Sequence, residues 1–294
     1  MPILDGKSLA ATIRQEIAQA VGAYIDKGHR KPGLVAVLVG SNPASQSYVE
    51  AKVRDCFEVG FYSNAIKLPE NTSQSELLAI VHELNTDQKI DGFIVQLPLP
   101  KEIDEHKVLE AINPNKDVDG FHPENIGRMA LGLPAFLPAT PAGIIEMIKR
   151  SGFKTTGKSC LVIGRSNIVG MPIGLLMGRN AEPGNCTVTV AHSRTPNLAE
   201  LCKQADIVIA AIGKPEFVTG EMVKEGAVVI DVGINRVENA HSSKGYSLVG
   251  DVKFDEVAPK CHLISPVPGG VGPMTRTALL LNTLQAYKRH ERLS

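Results

Sequence analysis

Tryptophan is absent, and aromatic residues make up only 4% of the chain. Surfaces that stack single-stranded nucleic acid need such rings, so no nucleic-acid partner is expected. Charge of one sign is lacking too, because Lys+Arg and Asp+Glu both total 31. Without a net field, nothing draws the chain to a polyanion or an anionic membrane. Long apolar runs are missing as well. The strongest, such as Ile207 to Ile212, are strand-sized, whereas a spanning helix needs ~20 apolar residues. The five cysteines (Cys56, Cys160, Cys186, Cys202 and Cys261) are scattered and form no CxxC pair. That pattern fits reduced thiols in a cytoplasmic protein. Eight histidines are dispersed without paired ligand spacing, so no metal site is expected. Asp5 and Lys7 precede any apolar run, which argues against a signal peptide.

What remains is 43% hydrophobic residues over 294 positions. That is enough for two domains of ~100–200 residues each. Leu9, Ile13, Ile17 and Val21 recur at helical spacing, so Ser8 to about Lys27 reads as a helix. Leu34 to Val39 is a continuous apolar run after Pro32-Gly33, the mark of a buried strand. Gly40 to Ala44 reads as a polar turn and Gln46 to Val59 as a helix. Phe93 to Leu97 is a second buried strand, running into Pro98-Leu99-Pro100. Alternation of this kind predicts a parallel sheet.

A Pro/Gly-rich stretch, Gly132 through Pro134, Pro138 and Pro141, marks a domain junction. Beyond it, Ala142 to Arg150 reads as a helix. Ser159 to Gly164, Thr187 to His192, Asp206 to Gly213 and Ala227 to Val232 read as strands with helical spacers. A Gly-rich loop over 265–274 then leads to a closing helix, Thr275 to about Arg289. The fold class is α/β with two α/β domains. One spans 1–139 and is completed by the helical segment 274–294. The other, spanning 140–273, is Rossmann-like.

The second domain opens on Leu161-Val162-Ile163-Gly164, followed by Arg165, Ser166, Val169, Gly170 and Pro172. This is a strand, a tight glycine turn and a helix start, where free backbone N–H groups can hold a pyrophosphate. The spacing is G-x-S-x-x-x-G rather than G-x-G-x-x-G, so an ordinary βα turn competes with a cofactor loop. The next strand tips the balance. Its end carries no carboxylate for a ribose 2′-hydroxyl but reads His192-Ser193-Arg194-Thr195. Arg194 alone could be a solvated loop arginine, but an Arg flanked by hydroxyls at this position suits a 2′-phosphate and favours NADP.

Tyr48 and Lys52 lie four apart on one predicted helix and share a face. A Lys in a partly dry pocket can shuttle protons near neutral pH. A lone YxxxK is more often an amphipathic surface pair. The same tetrad occurs in short-chain dehydrogenases, but there the glycine motif precedes it. Gln96 stands near the carboxyl end of a strand, where ligands gather in open sheets, although alone it could equally be a core amide bonded to backbone. Asn115-Lys116-Asp117-Val118-Asp119-Gly120 mimics the start of a calcium loop, but its twelfth residue is Ile126 rather than a bidentate carboxylate, so calcium is rejected. Two acids in a turn are more often solvated than functional, but Asp119, just before Gly120, could instead accept paired donors from a guanidine-like heterocycle. Pro266 to Thr275 is a rigid glycine-rich loop, either a structural Gly/Pro turn or one that lets a ligand approach the backbone.

Taken together, these segments resemble the methylenetetrahydrofolate dehydrogenase/cyclohydrolase family, of the bacterial bifunctional type. The likeness runs end to end through Asp5-Gly6-Lys7, Gly40 to Ser45, Tyr48 to Lys52, Val95 to Pro100, Lys116 to Gly120, Gly164 to Pro172, His192 to Thr195 and Pro266 to Thr275. The resemblance implies a folate cleft between the domains, a homodimer formed through the nucleotide domain, and a last helix returning to the first domain. It implies NADP-dependent oxidation of 5,10-methylenetetrahydrofolate to the methenyl form, then hydrolysis to 10-formyltetrahydrofolate. These reactions belong to one-carbon metabolism, which serves purine, methionine and histidine biosynthesis.

By the same resemblance, Lys52, Tyr48, Gln96 and Asp119 are catalytic, and with Leu97, Pro98, Pro268, Gly272 and Pro273 they bind tetrahydrofolate derivatives. Gly164, Arg165, Ser166, Val169, Pro172, Ser193, Arg194, Thr195, Gly213 and Ile234 hold NADP. Asn180 to Cys186 and Val237 to Leu248 are longer than the family pattern and read as surface insertions. The competing readings are an NADP-dependent dehydrogenase of another class using Tyr48 and Lys52, and a non-catalytic NADP-binding module.

Overall fold

The computed structural model describes residues 3–239, 242 and 245–293. The chain divides into two compact units.

One unit comprises Ala11–Ala139 and the chain from Arg276 onward. It holds most of helix α1 (Gly6–Ile25), then β1 (Gly33–Val39), α2 (Pro43–Glu58), β2 (Tyr62–Leu68), α3 (Gln74–Thr86), β3 (Gly92–Val95), α4 (Glu105–Ala111) and α5 (Pro123–Ala130). Helix α1 forms because its apolar residues line one face, and Ile13, Ile17 and Val21 are each no more than 2% exposed. Each such side chain stabilises by about 1.5–3 kcal/mol on burial. The sheet order is β2-β1-β3, all parallel. All seven residues of β1 are buried, which explains its unbroken apolar run. Val35, Val37 and Val39 pack with Leu77, Val81 and Leu84 of α3.

Strand β2 and helix α3 stand beyond the elements expected from the sequence: β2 carries no continuous apolar run, whereas the buried residues of α3, Leu77, Val81 and Leu84, do recur at helical spacing. Strand β2, at the sheet edge, alternates exposed and covered positions. Helix α2 starts three residues earlier than expected. Asn42 caps it, its side chain accepting from the N–H groups of Ala44 and Ser45, with Pro43 in the first turn.

The other unit comprises the amino-terminal segment through Ala10 and Thr140–Thr275. Here α6 (Ala139–Ser151) is followed by β4 (Ser159–Ile163), α7 (Gly170–Gly178), β5 (Thr187–Ala191), α8 (Leu198–Gln204), β6 (Ile207–Ala210), β7 (Val228–Asp231), β8 (Asn235–Glu238), β9 (Tyr246–Val249), α9 (Phe254–Val257), β10 (Leu263–Ile264) and α10 (Val271–His290). The main sheet is parallel, in the order β10-β7-β6-β4-β5. The first residues join this unit rather than 1–139 because Leu4 N–H donates to Ile264 O and Lys7 N–H to Gly269 O, both at 2.8 Å. Asp5 then caps α1 by accepting from Ser8 N–H at 3.0 Å.

Helix α10 begins at Val271, four residues before the expected start. The glycine-rich loop ends at Gly270, and Gly272 and Pro273 occupy the first turn, where the missing proline N–H costs nothing. From Arg276 onward α10 belongs with the β1–β3 unit. Asn282 Nδ2 donates to Val118 O and Leu137 O, and the Tyr287 hydroxyl donates to Arg30 O. The 180–186 segment is less superficial than expected, since Pro183 and Gly184 are buried. The Glu182 carboxylate accepts from both the N–H and the hydroxyl of Thr155 and of Thr156. Of the 237–248 segment, β8 and β9 form an antiparallel pair, and residues 240, 241, 243 and 244 lie outside those described.

Candidate active site

In the first unit, β1 lies between β2 and β3. The chain leaves β1 through α2 to one side and returns at β3 on the other. Such a switch point leaves a crevice at the carboxyl ends of the strands. Helix α2 overlooks that end. Its buried residues are Ser45, Val49, Ala51, Lys52, Asp55 and Cys56. Two charged residues in that stripe are the anomaly, because a buried charge costs free energy unless it is paired or neutralised.

Lys52 is 6% exposed. Its Nζ donates to Gln96 Oε1 at 3.3 Å and lies 5.1 Å from the centroid of the Tyr48 ring. Gln96 extends the β1–β3 ladder by one residue, its N–H donating to Val37 O at 2.8 Å. Its Nε2 donates to Leu97 O at 2.7 Å, which aims the amide oxygen at Lys52. Burial pushes the Lys52 ammonium below its ordinary value, and Arg276 pushes the same way, while Asp119 and Cys56 oppose. Burial pushes the Tyr48 phenol up to about 12, with Asp119 adding to the rise. The Cys56 thiol is likewise raised, to about 12, by burial.

Segment 115–120 shows which of its acids is spent. Asp117 forms an isolated bridge with Phe93 of β3. Its carboxylate accepts from the N–H groups of Gly120, Phe121 and His122 and from Asn125 Nδ2. Lys116 is buried and donates to Leu84 O and Asp87 O. Both residues build the turn. Asp119 is half-buried, and its charge reaches Tyr48 and Lys52. Gly120 is required, since its φ is +75° and a Cβ would meet the Leu137 carbonyl. Leu97 is partly covered and Pro98 exposed, joined by a cis peptide. Pro268, Gly272 and Pro273 belong to the other unit.

In that unit, β4 lies between β5 and β6, so a second switch point opens at their carboxyl ends. A cavity of about 520 Å³ is lined there by Gly164, Arg165 and Ser166, by His192, Ser193 and Thr195, and by Ala211, Ile212 and Lys214, among others. The odd glycine spacing has a steric reason. Gly164, at φ +125°, lies against the Ala211 carbonyl, and Gly170 lies against the Gly164 carbonyl. A Cβ at either would collide with backbone. The Ser166 hydroxyl accepts from the N–H groups of Val169 and Gly170 and so shapes the turn, while keeping its own proton to donate. Pro172 is buried in α7.

Thr195 Oγ1 accepts from His192 N–H and holds the turn after β5. Arg194 is exposed and lies outside the lining, between Ser193 and Thr195, which belong to it. Gly213 follows β6 at φ +69°, and Ile234 is 57% exposed. The loop after β6 depends on a residue that motif reading missed. Asp251 accepts from Ile212 N–H at 2.7 Å and Gly213 N–H at 2.9 Å. Asp251 N–H in turn donates to Asp231, whose carboxyl is pushed up to about 6 by burial. Gly233 and Gly250, packed against these two carboxylates, were the available signal.

Two family models match the chain. The tetrahydrofolate dehydrogenase/cyclohydrolase catalytic domain matches residues 4–119, and the NAD(P)-binding domain of the same family matches residues 138–291. The chain belongs to the tetrahydrofolate dehydrogenase/cyclohydrolase family. The bifunctional protein FolD of Cytophaga hutchinsonii is 60% identical over 286 residues, 97% of this chain and 99% of that one. The bifunctional enzyme of Campylobacter jejuni superposes with a TM-score of 0.92 at 44% identity, covering 98% and 99% of the two chains. The Trypanosoma brucei methylenetetrahydrofolate dehydrogenase-cyclohydrolase, solved with NADP cofactor and an inhibitor, has a TM-score of 0.93 at 38% identity, covering 99% and 100%. The protein is thus a two-domain α/β enzyme of one-carbon metabolism, with methylenetetrahydrofolate dehydrogenase and methenyltetrahydrofolate cyclohydrolase activities. Among the described residues no helix is long and apolar enough to cross a membrane.

Proposed function

We propose that Lys52, Tyr48, Gln96 and Asp119 carry the chemistry of both steps. The observation that supports this most is the buried Lys52 Nζ, held by Gln96 Oε1 at 3.3 Å and pushed toward its neutral form by burial. The catalytic, folate-binding domain is assigned to the β1–β3 unit and the NADP-binding domain to the β4–β7 unit. The folate contacts are assigned to these four residues with Leu97, Pro98, Pro268, Gly272 and Pro273.

Bound NADP supplies the hydride acceptor. The residues assigned to hold it suit the nucleotide. Gly164 admits close backbone approach, and Ser166 retains a hydroxyl proton for an anion. Ser193, Arg194 and Thr195 offer a cation flanked by hydroxyls, the group a 2′-phosphate requires. Arg165, Val169, Pro172, Gly213 and Ile234 complete the assignment.

In the first step the residues mainly orient the folate. Asp119 accepts paired donors from the pterin's amino edge, and Tyr48 packs against the ring. Loss of hydride from the methylene carbon leaves a conjugated cation. In the second step, neutral Lys52 takes a proton from water as the water oxygen bonds the cationic carbon. A second proton passes from the new hydroxyl to the departing ring nitrogen as the C–N bond breaks, giving 10-formyltetrahydrofolate. Gln96 keeps Nζ in position throughout.

The protein is placed in the cytoplasm as a homodimer, without nucleic-acid partners. Five free cysteines support a reducing compartment. The edge strand β5, with Thr187 exposed, offers a surface that a second copy could cover. The enzyme's one-carbon products are assigned to purine, methionine and histidine biosynthesis.

One assay tests the assignment. Enzyme, methylenetetrahydrofolate and NADP⁺ are mixed, and NADPH and the methenyl chromophore are followed. NADPH should appear, with the chromophore decaying faster than without enzyme. No NADPH would overturn the oxidation, and a chromophore that decays only at the uncatalysed rate would overturn the hydrolysis.

A further inference from the structure

Asp55 stands three residues after Lys52 on α2, inside the buried stripe, with its side chain 5% exposed. Its Oδ2 accepts from Arg276 Nε of α10 at 2.6 Å. A second cation, Arg54, lies with Nη2 4.0 Å from Oδ1 on a 72% exposed side chain. A buried ion pair is weak grounds for stability, because desolvation offsets most of the attraction and apolar residues of similar volume hold two helices as well. This pair, however, lies beside the Tyr48–Lys52 face, and the Arg276 charge acts on both residues.

The groups that face Lys52 come from every element around it: Tyr48 and Cys56 on α2, Gln96 after β3, Asp119 on the 115–120 turn and Arg276 on α10. Asp119 and Cys56 favour the ammonium, whereas burial and Arg276 favour the amine. A guanidinium stays charged at every working pH, so Arg276 imposes a permanent field. A single bond to its Nε fixes where that field originates.

We propose that the Asp55–Arg276 pair is a positioning device for the hydrolytic step, Asp55 fixing the guanidinium beside Lys52 so that its charge keeps the lysine able to accept a proton. The proposal rests on the reading of Lys52 as the proton acceptor.

The test is the pH profile of kcat/KM for hydrolysis of added methenyltetrahydrofolate, with the uncatalysed rate subtracted. Removing the cation in Arg276→Met raises the pH at which Lys52 loses its proton. The acid limb should move up by roughly half a pH unit or more, the size of one partly screened charge. Arg276→Lys keeps the charge and should stay near the parent profile. The double variant Asp55→Asn/Arg276→Met leaves no unpaired buried charge, so it covers the case in which Arg276→Met alone fails to fold. It should also shift upward, by less than Arg276→Met, because the Asp55 anion removed with the cation acts the other way; a purely structural role would leave the limb in place. An unmoved acid limb in the charge-removing variants overturns the proposal. Lys52→Met separates the two levels. If it hydrolyses normally, the reading of Lys52 itself falls. If it does not, while the Arg276 variants keep the parent profile, only the role of the pair falls.

Discussion

Lys52 Nζ and Gln96 Oε1 lie 3.3 Å apart, and the orientation of that amide is set by its other end, which donates to Leu97 O at 2.7 Å. A buried amine with one neutral acceptor is poised to exchange protons, whereas an ammonium in the same place would want more partners. We therefore expect Lys52→Met to lower hydrolysis of added methenyltetrahydrofolate by at least about 100-fold, the usual share of a general acid–base group. NADP titration should be unchanged, since the cavity after β4 contains no part of α2. Parent-like hydrolysis would remove Lys52 from the chemistry.

Arg194 is exposed between Ser193 and Thr195. Its role as the 2′-phosphate partner predicts a selective loss. Arg194→Ala should weaken NADP about tenfold or more while changing NAD little, because one charge-assisted bond is worth about 1.5–3 kcal/mol. Dissociation constants for both nucleotides decide it, and equal losses would count against the assignment.

Gly164 and Gly213 are both left-handed, at φ +125° and +69°, but they differ in surroundings. A Cβ on Gly164 would meet the Ala211 carbonyl, whereas one on Gly213 meets nothing within 4 Å. Gly164→Ala should therefore cost about 1–3 kcal/mol and most of the NADP affinity, and Gly213→Ala only about 1 kcal/mol. Thermal melts with and without NADP would rank the two, and the reverse order would refute the steric account.

Glu182 holds the 180–186 segment through four donors on Thr155 and Thr156, which pull its carboxyl down to about 2 from an ordinary 4.5. A carboxyl lowered by folding stabilises above its unfolded value, and the contribution is lost as pH falls from 4.5 through about 2. Glu182→Gln should therefore melt lower than the parent at pH 7, with the gap closing across that acid window. A gap that stayed constant with pH would mean that the charge is not what holds the segment.

Much of this protein is legible in one dimension. The buried run of β1, the stripe of α1 and the glycine turn after β4 report local physics: the period of burial, and the freedom a residue without Cβ allows. Tyr48 and Lys52 share a face simply because a helix turns every 3.6 residues. Strand β2 was not legible, because an edge strand needs only one covered face. The starts of α2 and α10 were misplaced, because proline inside a first turn looks like loop. Asp119 could be suspected, but its neighbour Asp117 had to be seen spending its oxygens on backbone N–H groups before the two acids could be told apart. Asp55 and Arg276 stand 221 positions apart, and no periodicity connects them. Patterns of burial are written locally because water acts on each residue separately. Which charge meets which is decided only when the chain closes on itself, because a field acts through space rather than along the backbone.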